Sequence, residues 1–102
     1  MRYPVVIHKG SDSDYGVTVP DLPGCFSAGE TLDEALEMVH EAMECHIEGI
    51  LLDGEPLPAA RPIEQHQNNP DFAHGVWALV ELDLSRLQLM QRNFVYQLGM
   101  FV

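Results

Sequence analysis

Apolar positions recur along this chain with two different periods, and the change between them marks the elements. Arg2 to Lys9 is rich in Val and Ile and reads as a β-strand, with Pro4 suiting a strand beginning or an edge. Gly10 to Asp14 is turn chemistry, and Tyr15 to Val19 alternates well enough to be the returning arm of a hairpin. In Pro20-Asp21-Leu22-Pro23-Gly24, proline fixes its own φ and glycine supplies the positive φ of a type II turn. Cys25 to Ala28 is then a short third strand. Three strands on short turns predict an antiparallel meander.

At Thr31 the period changes to that of a helix. Thr31 stands where an N-cap belongs, and Glu34 three residues later completes a capping box. Leu32, Leu36, Val39, Met43, Ile47 and Ile50 recur at helical spacing and draw one apolar stripe. Glu34, Glu37, Glu41, Glu44 and Glu48 occupy the other side. Asp53-Gly54 followed by Pro56 stops the helix.

The stretch from Glu55 to Asn69 is looser, with Pro62 placed to start a short helix over 62–67. Gly75 to Leu84, GVWALVELDL, is another strand, and the helical crossover leading to it predicts a parallel neighbour in the same sheet. The tail from Arg86 to Val102 carries Phe94, Val95, Tyr96, Leu98, Met100, Phe101 and Val102. Such a tail is expected to pack on the sheet or on a second copy of the chain, making a homo-oligomer.

Composition narrows the function classes. A chain of 102 residues with 46% hydrophobic and 21% charged positions is one small globular domain. Sixteen Asp and Glu against five Lys and Arg leave a formal charge of -11, which disfavours unaided binding of nucleic acid and favours basic partners. Val5-Val6-Ile7 is too short an apolar run for a signal peptide, and no run approaches the ~20 residues of a membrane span. Cys25 and Cys45 make neither a disulfide framework nor a metal-ligand spacing. A cytoplasmic protein with reduced thiols, without a membrane partner, is the expectation.

Candidate chemistry is sparse. His40-Glu41-Ala42-Met43-Glu44 places Glu44 where a zinc helix needs its second histidine, so no metal or other cofactor is expected. His46 lies on the apolar stripe and reads as a core or interface residue. Cys45 lies toward the polar side with no cationic neighbour to activate it, and Cys25 reads as a small packing residue. Glu81 and Asp83, two apart on a strand, share a face but have no third carboxylate. No phosphate loop, Ser-His-Asp pattern or basic patch with interleaved aromatics is present, and no catalytic residue is assigned.

From Tyr3-Pro4-Val5 through DYGVTVPDLPGCFSAGETLDEAL, and on through Gly54, Pro58, Pro62 and GVWALVELDLS, the chain resembles the N-terminal domain of HicB-type antitoxins. The resemblance implies an α+β fold, a reduced RNase H-like domain in the order β-β-β-α-β, its last strand parallel to the first. It also implies a non-enzymatic protein whose partner is a HicA-like toxin, a small basic ribonuclease that cleaves mRNA and is blocked by occlusion of its active site. The first strand, Tyr3 to Lys9, carries no acid, whereas a metal-dependent nuclease of that fold needs one there. The acid excess matches a basic partner, and Glu37, Glu41, Glu44 and Glu48 become the expected toxin-binding residues.

Residues 1–85 form the HicB-like domain in this reading. Residues 86–102 are an apolar tail in place of the family's DNA-binding domain, with only Arg86 and Arg92 basic, so operator DNA is a doubtful partner. Two other function classes stay open on the sequence. One is an oligomeric autorepressor of a toxin–antitoxin operon; the other is a vestigial nuclease built on Glu81 and Asp83.

Overall fold

The computed structural model describes residues 1–11 and 14–87. Strands β1 (Arg2–Lys9), β2 (Tyr15–Thr18) and β3 (Phe26–Gly29) precede helix α1 (Leu32–Leu52). A four-residue helix α2 (Ile63–His66), a 3-10 turn (Pro70–Phe72) and strand β4 (Val76–Glu81) follow. The sheet order is β3-β2-β1-β4, and every neighbouring pair is antiparallel. The fold is α+β, with the expected meander and the long helix packed on it.

Local chemistry explains the boundaries. The amide of Cys25 donates to the Leu22 carbonyl at 2.9 Å, and Gly24 between them has φ +83, closing the type II turn around Pro23. The Glu34 amide donates to Thr31 Oγ1 at 3.1 Å, satisfying one of the unpaired N–H groups at the start of α1. At the other end Gly54 takes φ +71. Its amide donates to the Leu51 carbonyl and that of Glu55 to the Ile50 carbonyl, both at 3.1 Å, the paired bonds of a Schellman stop.

The parallel placement of β4 is corrected. Arg2 pairs with Glu81 and Ile7 with Val76, so β4 runs against β1. The reason lies in the connection after α1. The helix returns the chain to the Arg2 end of β1, and residues 53–75 then carry it back along the sheet. Ala73 reaches His8, its carbonyl oxygen 3.0 Å from His8 Nε2. The chain therefore enters β4 from the Lys9 end. A helix alone would have delivered a parallel strand; the helix plus a returning segment delivers an antiparallel one.

Pro4 sits in a central strand, but it precedes Val6, the first β1 residue paired with β2, so on that side it stands outside the ladder. Leu32, expected on the buried stripe, is 41% exposed, while Ala35 is fully buried in its stead with Val39, Met43 and Ile47. The last strand stops at Glu81 rather than Leu84: Asp83 Oδ1 accepts from the Arg86 amide at 3.0 Å, and residues 84–87 are helical. Asp83 is a helix cap, which removes it from the shared strand face with Glu81. The packing expected of the apolar tail concerns residues 88–102, which lie outside the described residues.

The two faces of the sheet are covered differently. On one, Tyr3, Val5, Ile7, Val17 and Val19 pack against the buried stripe of α1, with Leu22, Leu82 and Leu87 completing the cluster. Each fully buried aliphatic side chain contributes about 1.5–3 kcal/mol there. On the other, Val6 is fully buried beside its partner Trp77, and the segment from α2 to β4 folds over them. The His66 ring stacks on Trp77 at 6.1 Å, and Phe72 meets both rings edge-on.

Candidate functional site

Two polar constellations stand out in the fold, and only one is open. The closed one lies where the β2–β3 turn meets the returning segment. Asp21 is buried; its Oδ1 accepts from His66 Nε2 at 3.0 Å and its Oδ2 from the Arg61 amide at 3.1 Å. Nearby, the Tyr3 hydroxyl donates to the Pro58 carbonyl at 2.8 Å. Burial, and secondarily the charge of Asp21, pushes the Tyr3 hydroxyl pKa above its ordinary value. A carboxylate–imidazole pair suggests catalysis at first sight, yet both partners are buried. Its chemistry is that of a latch that ties residues 58–66 to the sheet.

The open constellation is a groove of about 560 Å³ between the first half of α1 and the outer edge of β4. Asp33, Leu36, Glu37 and His40 form its helix side, and Ala78, Leu79, Val80 and Glu81 its strand side. Strand pairing shows which side chains enter it. Ala78 and Val80 pair with Val5 and Tyr3, both in the helix-side core, so they form an apolar floor with Leu36. Trp77, Leu79 and Glu81 alternate to the opposite face, and Leu79 is 52% exposed. The groove thus combines an apolar floor, an acidic rim and the backbone edge of a strand.

The glutamates singled out in the sequence divide on this geometry. Glu37 lines the groove and is exposed; Glu41 is exposed on the outer surface of α1. Glu44 is half-buried and already engaged. Its Oε2 accepts from Arg86 Nη1 at 2.7 Å, and its Oε1 lies 3.4 Å from His40 Nδ1. Glu48 is half-buried. Sequence reasoning missed Asp33, Leu36 and the β4 edge. The alternation of β4 pointed to one polar and one apolar face, but not to which edge the helix leaves open.

The remaining candidates resolve simply. His46 is half-buried. Cys25 is buried, and that burial raises its thiol pKa, while Cys45 is exposed. Among the described residues no three His, Cys, Asp or Glu side chains gather as a metal site, and no helix is long and apolar enough to cross a membrane.

Comparison with known proteins gives this geometry a family. The model of the HicB-like antitoxins of bacterial toxin–antitoxin systems matches residues 3–99. A 14.9 kDa protein of the rep–hol intergenic region of Haemophilus phage HP1 is 49% identical over 87 residues, covering 85% of this chain and 65% of the phage protein. The chain therefore spans just under two thirds of that relative's length. Among solved structures, the N-terminal domain of Burkholderia pseudomallei antitoxin HicB is 42% identical with a TM-score of 0.73, over 81% of this chain and 99% of that one. A chain of the HicA3–HicB3 toxin–antitoxin complex is 31% identical with a TM-score of 0.68, again over 81% and 99%. With the family model spanning nearly the whole chain and the fold shared by HicB domains, this chain belongs to the HicB-like antitoxin family, a family of regulatory proteins rather than enzymes.

Proposed function

We propose that this chain neutralises a HicA-like, mRNA-cleaving toxin in the cytoplasm by binding over the toxin's active site. The observation that carries the reading is the fold: 81% of the chain superposes on a chain of a HicA3–HicB3 complex. The charge of -11 supports it, because a protein that cuts RNA must attract phosphates and is therefore drawn to an acidic surface. Inhibition in this reading is steric and electrostatic, and the antitoxin supplies no catalytic group.

The acidic side of α1, with Glu37, Glu41, Glu44 and Glu48, is proposed as part of the toxin-facing surface. Glu37 and Glu41 present exposed carboxylates, whereas Glu44 acts through a charge already shared with Arg86. The test is RNA cleavage by a HicA-type toxin from the same genome, titrated with the purified chain. Cleavage is expected to vanish at one antitoxin chain per toxin. Undiminished cleavage at that ratio overturns the reading.

A further inference from the structure

We propose that the outer edge of β4 receives an extended, basic segment of the toxin as a fifth strand of the sheet, its alternate side chains entering the groove beneath α1. This rests on the antitoxin reading above and names the surface and the mode of contact.

Among the described residues β4 is paired on one side only, so half of its amides and carbonyls face outward. Natural edges are usually blunted by Lys, Pro or a bulge. Val76–Glu81 contains neither Lys nor Pro, and its six residues pair with β1 in unbroken register. It also exposes apolar side chains, Val76 at 66% and Leu79 at 52%. The opposite edge, β3, is four residues long and lies tight under α1: Ser27 donates its hydroxyl to the Ala35 carbonyl at 2.8 Å, and Gly29 is buried. Strand addition needs main-chain groups for affinity and pockets for alternate side chains, and β4 offers both.

The chemistry of the groove selects the occupant. Side chains of an added strand that point to the helix side meet Ala78, Val80 and Leu36 as floor and Asp33 and Glu37 as rim. An apolar residue followed two positions on by Lys or Arg satisfies both. At the far end Glu81 already lies 3.8 Å from Arg2 Nε and 3.6 Å from the N-terminal amine, so among the described residues the groove's unpaired carboxylates, Asp33 and Glu37, sit on the helix side. A second copy of this chain would bring the same carboxylates and a further charge of -11. Residues 88–102 hold one cation, Arg92, and no Lys. A basic partner fits this edge better than either.

The test uses the full chain and a HicA-type toxin from the same genome. In the complex, amide hydrogen exchange measured by NMR is expected to slow about tenfold or more within residues 76–81 and to stay unchanged within 26–29. Asp33→Asn with Glu37→Lys is expected to weaken binding about tenfold. Glu55→Gln with Glu64→Lys, the same change in net charge at exposed positions elsewhere, is expected to weaken it less than about threefold. Three results overturn the proposal: a complex without added protection at 76–81, equal losses from the two double variants, or protection of the β4 amides turned away from β1 already present in the free chain. Protection that rises with chain concentration alone assigns the edge to a second copy; protection independent of both toxin and concentration assigns it to the chain's own tail. Absence of any complex with the wild-type chain instead removes the antitoxin reading, which separates the two failures.

Discussion

At the scale of single residues, Asp21 has the most consequences for its size. It lies in the turn that the sequence marks with two prolines and a glycine, yet its role is set by His66 and Arg61, forty and more positions away. Replacing it with Ala leaves the buried His66 donor and the Arg61 amide unsatisfied, and a loss of about 1–3 kcal/mol in denaturant unfolding is expected. Tyr3 makes a second, pH-dependent case. Its hydroxyl pKa is raised in the fold, so the neutral form is the one stabilised. That contribution is complete below the ordinary value of 10.0 and is lost as pH rises through the higher folded value. The wild-type chain is therefore expected to lose stability between 10.0 and the folded value more steeply than Tyr3→Phe, as read by unfolding midpoints across alkaline pH. Neither residue was legible as a network member in the sequence, because nothing in local spacing links positions 3, 21 and 66.

At the scale of elements, α1 was the most legible feature. Its cap, its buried stripe and its glycine stop follow from local rules, and the bonds at both ends agree with them. Thr31→Ala is expected to cost about 1 kcal/mol of stability through the lost cap. The junction ahead of the helix is tighter than its sequence suggests. A side chain at Gly29 would place its Cβ 2.6 Å from the backbone nitrogen of Ala35, and backbone cannot step aside as a side chain can. Gly29→Ala is accordingly expected to destabilise the chain by about 1–3 kcal/mol, more than the cap variant, in the same unfolding assay. The direction of β4 was not legible. It depends on how far residues 53–75 carry the chain back, and on the His8 and Trp77 contacts that hold them there.

At the scale of the whole molecule, charge and shape act together. A net charge of -11 spread over a small domain raises the rate at which a basic partner arrives, and salt screens that effect over about 8–10 Å. The association rate with the toxin is expected to fall by about tenfold or more between low and physiological-to-high salt, with a smaller change in dissociation, as measured by stopped flow. A salt-independent association rate would mean that the acid excess serves another purpose. The expected toxin-facing glutamates illustrate the limit of composition as a guide. All four share one stripe of α1 in the sequence, but one borders a groove, one is exposed on the outer surface and two are half-buried, Glu44 among them held by Arg86.

The order of elements, the turns, the helix ends and the sign of the surface were determined by the sequence itself, because each depends on residues within a few positions or on a simple sum. Only the tertiary structure decided the antiparallel course of β4, the latch at Asp21 and the groove beside α1. Those features are made by contacts between residues tens of positions apart. Their geometry depends on where the chain turns back in space, which no local period encodes.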